Sequence, residues 1–361
     1  MISFTPTEDQ QQLIETIRRF AKNDMQPAAH DADEHNHVPA NLINKGWDLG
    51  LLPTAIPEEL GGLGEMSAIT GALAMEELAY GDLSTSLQVM SPALFAYPLV
   101  LYGTEEQRTE HLPKFLEERP PHYTAAFLEP GIFFDPNELK TTASANGEKV
   151  VLNGTKAYVP LASSAEWLLV YARDTETGRV DGYIVNVEAA GVQIGERERL
   201  MGIRALPTHQ VCFTNTEIDL NNKVSIDYPA LLNRFRVALA AAAVGVARAS
   251  FEYARDYAKQ RVQFGVPIAQ KQAIAFMLAE MAIEIDSARL LAWEAAWKLD
   301  EGEDATREAY LAKQYADKAA MFVTDSGVQT LGGYGFIREY PVERYLRNAR
   351  GFATFDGLAI V

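Results

Sequence analysis

Three stretches near the end of this chain, residues 229–261, 268–299 and 305–331, hold an apolar period of helical spacing over unusually long runs. Each closes on glycine-containing punctuation. At 1.5 Å of rise per residue, each predicts a helix of roughly 40–50 Å. Helices of that length joined by short turns bury their apolar stripes against one another as an up-and-down bundle. A shorter pattern over 340–350 supplies a fourth helix. The most apolar run, Val237 to Ala249, is alanine-heavy and reads as a tightly packed helix, and no window reads as long and apolar enough to span a bilayer.

Upstream the period changes. Residues 122–128, 149–152, 167–172, 183–187 and 210–213 are short, β-branched and aromatic. Asn153-Gly154, Glu176-Thr177-Gly178 and Ala190-Gly191 read as the turns between them. Before residue 122 the pattern is helical again. Thr5-Pro6-Thr7-Glu8 reads as a capping box with proline at the first helical position, followed by a stripe of Leu13, Ile14, Ile17, Phe20 and Ala21. A second helix is expected over 68–78 and a third after Thr104. Residues 57–64, rich in glycine, must form a loop, expected as a turn against the sheet. The predicted fold class is α+β, mostly α. It has an N-terminal all-α domain (1–121), a middle antiparallel β domain, barrel or sandwich (122–224), and a C-terminal four-helix bundle (225–361).

A chain of 361 residues with 48% hydrophobic content can bury cores for two or three domains. Its net charge of −17 argues against nucleic acid, which needs basic patches. A lone cysteine, Cys212, excludes an internal disulfide framework. With no charged-then-apolar pattern at the N-terminus, a cytoplasmic location is expected. The histidines His30, His35, His37, His111, His122 and His209 show no helical ligand pair, so no metal is expected.

One stretch says more about function. Gln329-Thr330-Leu331-Gly332-Gly333-Tyr334-Gly335-Phe336 leads through Tyr340-Pro341-Val342-Glu343-Arg344 and Arg347-Asn348-Ala349-Arg350 to Phe355-Asp356-Gly357-Leu358. It resembles the C-terminal signature of the acyl-CoA dehydrogenase family, which are FAD-dependent. The resemblance covers nearly the whole chain. Residues 57–64, 102–107, Leu112-Pro113, Gly202-Ile203-Arg204, 261–265 and 329–335 match family motifs in the expected order. It implies α,β-desaturation of an acyl-CoA: a carboxylate takes the α-proton and the β-hydrogen leaves as hydride to flavin N5. The base works best with a pKa raised in a dry pocket.

The resemblance also assigns positions. Asp356 stands where the family has its catalytic glutamate, one methylene shorter. Relatives in the superfamily, nitroalkane oxidases among them, use aspartate, although Asp-Gly is equally a turn dipeptide. The alternative helix-borne base of some branches is replaced by Phe235. The family's flavin-ring loop, Thr-Glu-Pro-Gly-Ala-Gly-Ser-Asp, reads here from Leu128 to Asp135 with Ile132, Phe133 and Phe134 in it. A Trp-Ile-Thr strand reads Tyr158-Val159-Pro160. Tyr158 can stack on a flavin, but Leu128, Phe134 and Pro160 carry no side-chain donor. By contrast Arg261, Phe264, Gln272, Gln329, Gly332 and Gly333 match the set that holds the ADP portion of a neighbouring subunit's FAD. Arginine suits a diphosphate, and glycine lets backbone amides approach it. Helix-end roles would explain Arg261 and the glycine pair without a ligand. Asn233 and Arg236 are possible acyl-CoA contacts, with a capping and surface-charge role favoured. Arg204 is expected to pair a carboxylate. Two readings follow: an active dehydrogenase passing electrons to an electron-transfer flavoprotein, or a non-catalytic partner subunit lending ADP-side contacts. Either would work as a homo- or heterotetramer. A flavin-free acyl-CoA binder is a third.

Overall fold

The computed structural model describes residues 5–361. The first helix, α1 (Glu8–Phe20), is capped by Thr7 rather than Thr5. The Thr7 hydroxyl accepts from the Gln10 amide at 3.2 Å, and Gln10 Oε1 accepts from Thr7 N at 2.9 Å. Pro6 therefore precedes the cap instead of opening the helix. A π-turn at Ala21–Met25 joins α1 to α2 (Gln26–His35), which Asn36 ends in the left-handed region. The helical region continues through α3 (Ala40–Trp47), α4 (Leu51–Ala55), α5 (Ala68–Gly81), α6 (Leu83–Val89), α7 (Ala93–Tyr102) and α8 (Glu105–His111). Thr104 caps α8 and forms a capping box with Gln107. In the loop over 57–64, glycine positions lie against Ile56, Thr54 and Leu116 of the helical region, not against the sheet.

The middle region holds eight strands: β1 (Tyr123–Ala126), β2 (Thr142–Asn146), β3 (Lys149–Pro160), β4 (Trp167–Asp174), β5 (Val180–Asn186), β6 (Val192–Arg197), β7 (Thr208–Asp219) and β8 (Lys223–Val224). They form one sheet in the order β6-β7-β3-β2-β4-β5-β8, antiparallel except along β4, which takes β1 and the first residues of β2 in parallel. Asn153-Gly154 is not a turn. It lies inside β3, where the register against β7 shifts, and Gly154 (φ 149°) absorbs the irregularity. A second core of Val150, Leu152, Leu168, Val170, Tyr183 and Phe213 fills this sheet.

The C-terminal region contains α9 (Tyr228–Gln260), a hairpin of β9 (Val262–Gln263) and β10 (Val266–Pro267), then α10 (Gln272–Asp300), α11 (Thr306–Leu331) and α12 (Val342–Gly351). Asp227 caps α9 by accepting from Ala230 N. An 18-residue window of α9 reaches a mean hydropathy of 1.5, so by length and composition it could cross a bilayer, contrary to the sequence expectation. Its apolarity has another cause here: 83% of that window is buried inside the protein, packed by α5, α10, α11 and α12.

Small residues on α9 let α5 approach closely. A Cβ on Gly245 would overlap the Glu76 carbonyl oxygen. Gly245→Val is expected to cost about 1–3 kcal/mol by overpacking, read as a lowered Tm. Around this contact sits an ion network. Arg248 (α9) pairs Glu77 at 2.6 Å and Glu76 at 2.7 Å, Arg18 (α1) pairs Glu77 at 2.6 Å, and Arg289 (α10) pairs Glu76 at 3.0 Å. Three helices, α1, α9 and α10, are thereby tied to two adjacent carboxylates on α5.

Candidate active site

Asp356 follows a 3₁₀ turn, Phe352–Thr354, that continues from the end of α12. Two glycines set its position. The Phe355 ring lies where a Cβ on Gly351 would be, and Gly357 adopts φ 74° with the Phe127 ring against its open face. Lys313 of α11, itself buried, donates to the Phe352 carbonyl at 2.8 Å and pairs Asp317 at 2.6 Å, anchoring the turn to the bundle. Burial pushes the Asp356 carboxyl above the usual aspartate range; Lys313 and Arg236 oppose that rise with smaller effect. Burial also raises Asp317, and the charge of Asp356 adds to it.

Asn233 and Arg236 work as one unit. Arg236 Nη1 donates to Asn233 Oδ1 at 3.3 Å, and Asn233 Nδ2 donates to Thr306 Oγ1 at 3.1 Å. Asn233 is buried, so it is not a helix cap, the role its sequence position favoured; Asp227 holds that place. The Arg236 guanidinium lies 5.6 Å from the centre of the Tyr310 ring and is one of the two cations acting on Asp356, so it is more than surface charge. Phe235 packs on Phe127 and Tyr171.

Tyr158 sits at φ 52°, its N–H donating to Glu198 at 3.0 Å. It lines a cavity of about 200 Å³ with Leu200, Met201, Arg350, Phe355 and Leu358. Phe355 and Leu358 line this cavity and Asp356 does not. Asp356 instead feels Arg236, Lys313 and Asp317. The altered loop is held from beneath: Glu129 accepts from Lys140 N, Thr141 N and the buried Lys156 ammonium, and is thereby kept ionised below its usual range. Burial lowers Lys156 to about 8. Leu128 is buried, Phe134 packs on Phe127, and Pro160 is paired with Thr208. Ile132 and Phe133 are each 93% exposed.

A third assembly lies at the far end of the bundle. Arg261, Gln329, Gly332 and Gly333 line a cavity of about 440 Å³ together with Tyr257, Tyr334 and Ile337. Gly332 (φ 59°, ψ −130°) ends α11 in a conformation reserved for glycine, and nothing lies near either glycine's missing Cβ. Arg261 pairs no carboxylate among the described residues and stands 5.6 Å over the Tyr334 ring. Phe264 projects from the β9–β10 hairpin, 93% exposed, and Gln272 opens α10; neither lines the cavity. Sequence reasoning did not single out Tyr257, whose signal would have been its position one helical turn before Arg261. An unneutralised guanidinium, an open glycine backbone and two aromatic rings fit the diphosphate and adenine of FAD. Leu128, Phe134 and Pro160 offer no side-chain donor to a flavin ring, and none of them lines the Tyr158 cavity, which Arg347, Arg350 and Thr354 line instead. Arg204 does face a carboxylate, Asp33 at 3.8 Å.

Helical, sheet and helical regions in this order, with a half-buried carboxyl near the end and a separate cavity holding Arg261, agree with an oxidoreductase of the flavin-dependent dehydrogenase type. The chain matches the acyl-CoA dehydrogenase N-terminal domain over residues 7–119, the middle domain over 124–216 and the C-terminal domain over 229–359. It is 34% identical to the mitochondrial short-chain specific acyl-CoA dehydrogenase of Bos taurus, covering 97% of this chain and 87% of that protein. The butyryl-CoA dehydrogenase structure from Megasphaera elsdenii superposes with a TM-score of 0.90 at 30% identity, covering 99% of this chain and 96% of that one. A chain from the electron transferring flavoprotein study of Acidaminococcus fermentans gives 0.89 at 31%, covering 99% and 96%. The chain belongs to the acyl-CoA dehydrogenase family, FAD-dependent oxidoreductases acting on CH–CH donors.

Proposed function

We propose that this chain is an FAD-dependent dehydrogenase of short acyl-CoA thioesters in which Asp356 removes the α-proton. The observation that carries the reading is the place of Asp356, just past the turn that Lys313 anchors to α11, where partial burial raises its carboxyl against the opposing charges of Lys313 and Arg236. An ordinary aspartate is too weak a base for a carbon acid; a desolvated one is better matched to it. Lys313 holds the turn that presents the carboxyl, and Arg236, fixed through Asn233, lies beside an entering thioester. Bound FAD supplies the acceptor for the β-hydride. Its ADP portion would rest on Arg261, Gln329, Gly332 and Gly333 of a neighbouring copy, with Phe264 and Gln272 flanking, and Tyr158 beside the ring. A tetramer and an electron-transfer flavoprotein as acceptor complete this reading, supported by family membership. The short-chain preference is supported by the bovine and Megasphaera relatives.

A second reading has its own observation. The Arg261 cavity keeps its arginine and open glycines while Leu128, Phe134 and Pro160 stand where the family has hydrogen-bond donors to the flavin ring, as in a subunit that lends ADP contacts to another polypeptide's flavin. Bound FAD per protomer in the chain expressed alone separates the two. About one FAD per chain, bleached by butanoyl-CoA, supports the enzyme. A folded, flavin-free oligomer sinks the stand-alone enzyme. Arg261→Ala is expected to weaken FAD retention about tenfold or more, since it removes a charge-assisted bond to phosphate. Equilibrium dialysis of the flavin checks it.

A further inference from the structure

Strand β3 does not run straight to its end. Lys156 pairs with Val211 of β7 and Val159 pairs with His209, so Ala157 and Tyr158 together oppose the single residue Gln210. On the other edge of β7, Ile194 of β6 pairs with Val211 and Arg197 with His209, so Gly195 and Glu196 oppose that same residue. Two bulges therefore meet at one level of the sheet, and a bulge re-aims the side chains around it. Both amides of the β3 bulge are held from outside the β3–β7 ladder. Ala157 N donates to the Leu128 carbonyl at 2.9 Å, and Tyr158 N donates to Glu198 Oε2 at 3.0 Å. Glu198 is fixed in turn by the β6 bulge. Its own N–H donates to the Thr208 carbonyl at 2.9 Å, and His209 Nδ1 donates to the Gly195 carbonyl at 2.9 Å.

Tyr158 sits at φ 52°, in the left-handed region that large side chains rarely enter. Such a conformation persists only where its surroundings hold it. The N–H that meets Glu198 belongs to the strained residue itself. The effect shows between neighbours: Val159 packs into the core of the sheet, whereas Tyr158 lines the cavity it shares with Phe355 and Leu358. Burial raises the Glu198 carboxyl above the usual glutamate range, and the bond from Tyr158 N is among those that oppose the rise. Glu198 does not line the Tyr158 cavity, so any effect it has there passes through Tyr158. We infer that Glu198 is the positioning residue for Tyr158: placed by the β6 bulge, its carboxylate holds the Tyr158 backbone in the left-handed region and so presents the ring to the cavity. The flavin beside that ring comes from the function proposed above; the seating of the ring does not depend on it.

The test is a double-mutant cycle on FAD affinity, measured by equilibrium dialysis of the full chain. Glu198→Ala is expected to weaken FAD binding about tenfold, the scale of one well-placed aromatic stack. Glu198→Gln keeps an acceptor oxygen for the Tyr158 amide and should stay within about threefold of the parent. In a Tyr158→Ala background, Glu198→Ala should change little, because the ring through which it acts is gone. A tenfold loss in both backgrounds would mean that Glu198 meets the cofactor directly, and overturns the inference, as does no loss in either. Should Glu198→Ala fail to fold, Glu198→Asp, one methylene short of the amide, takes its place. Crystal structures of the flavin-free variants give an arm independent of the cofactor. Tyr158 is expected to leave the left-handed region in Glu198→Ala and to remain there in Glu198→Gln. A Tyr158 that keeps its positive φ in Glu198→Ala overturns the inference whatever the affinities. If the parent binds no FAD, the stand-alone dehydrogenase reading falls, and the structures alone decide whether Glu198 seats Tyr158.

Discussion

Asp356→Asn is expected to slow flavin reduction by butanoyl-CoA by roughly 10²–10⁴-fold, the usual contribution of a positioned general base, without lowering thermal stability at pH 7. The two effects share a cause. Burial raises the carboxyl's folded pKa above its unfolded value. Such a group contributes stability that is fully present below the unfolded value, near 4, and is lost as pH rises through the folded value. The asparagine mimics the protonated form and is spared that loss. The variant's Tm at neutral pH should therefore equal or exceed that of the parent, and the difference should vanish below about pH 4. In the parent, reduction rate should climb with pH through a value above the ordinary aspartate range, because only the ionised base works. Stopped-flow reduction across pH, paired with melting curves, reads both. An unchanged rate removes Asp356 as the base. A much lower Tm would show that Lys313 and Arg236 outweigh burial.

The largest stability loss is expected at Glu77. Its carboxylate is buried between Arg248 and Arg18, and Glu77→Gln leaves Arg248, whose side chain is 12% exposed, with Glu76 and the more distant Glu252. Removing one partner of a buried pair costs about 3–5 kcal/mol. Most of this belongs to Arg248, because Arg18 is 46% exposed and its pairing is screened by solvent. Desolvation alone would raise the Glu77 pKa, yet the hydrogen bonds from Arg248 and Arg18 together bring it below the usual range. The sign is then the reverse of Asp356. The stabilisation is present above the unfolded value and is lost as pH falls through the folded one. Melting of the variant should lie several degrees below the parent at pH 7, with the gap closing below about pH 4. A gap that stays constant with pH would assign the loss to packing rather than charge.

The sequence carried the helices well and the sheet less well, for reasons visible in single residues. Long periodic runs such as α9 and α11 announce themselves because each turn repeats the signal. The strands β2, Thr142–Asn146, and β6, Val192–Arg197, went unseen because their residues are small or polar and half exposed. Asn153-Gly154 has the chemistry of a turn, and only its pairing with β7 reveals a strand irregularity. Thr5 and Thr7 offer the same cap pattern, and the choice between them is made by which hydroxyl meets its amide. At the site, resemblance to family motifs singled out Asp356, Tyr158, Arg261 and Gln329. It could not find the reach of Lys313 to the Phe352 carbonyl or the link from Asn233 to Thr306, because those partners are distant in sequence and meet only when the helices pack.

The contact at Gly245 has a mechanical consequence. With the α5 backbone seated directly on α9 and charges riveted around it, the first helical region and the bundle behave as one stiff frame. Compliance has to reside elsewhere. Any motion that slid one against the other would have to part Arg248 from Glu76 and Glu77 together, so the two move as a unit until that contact melts.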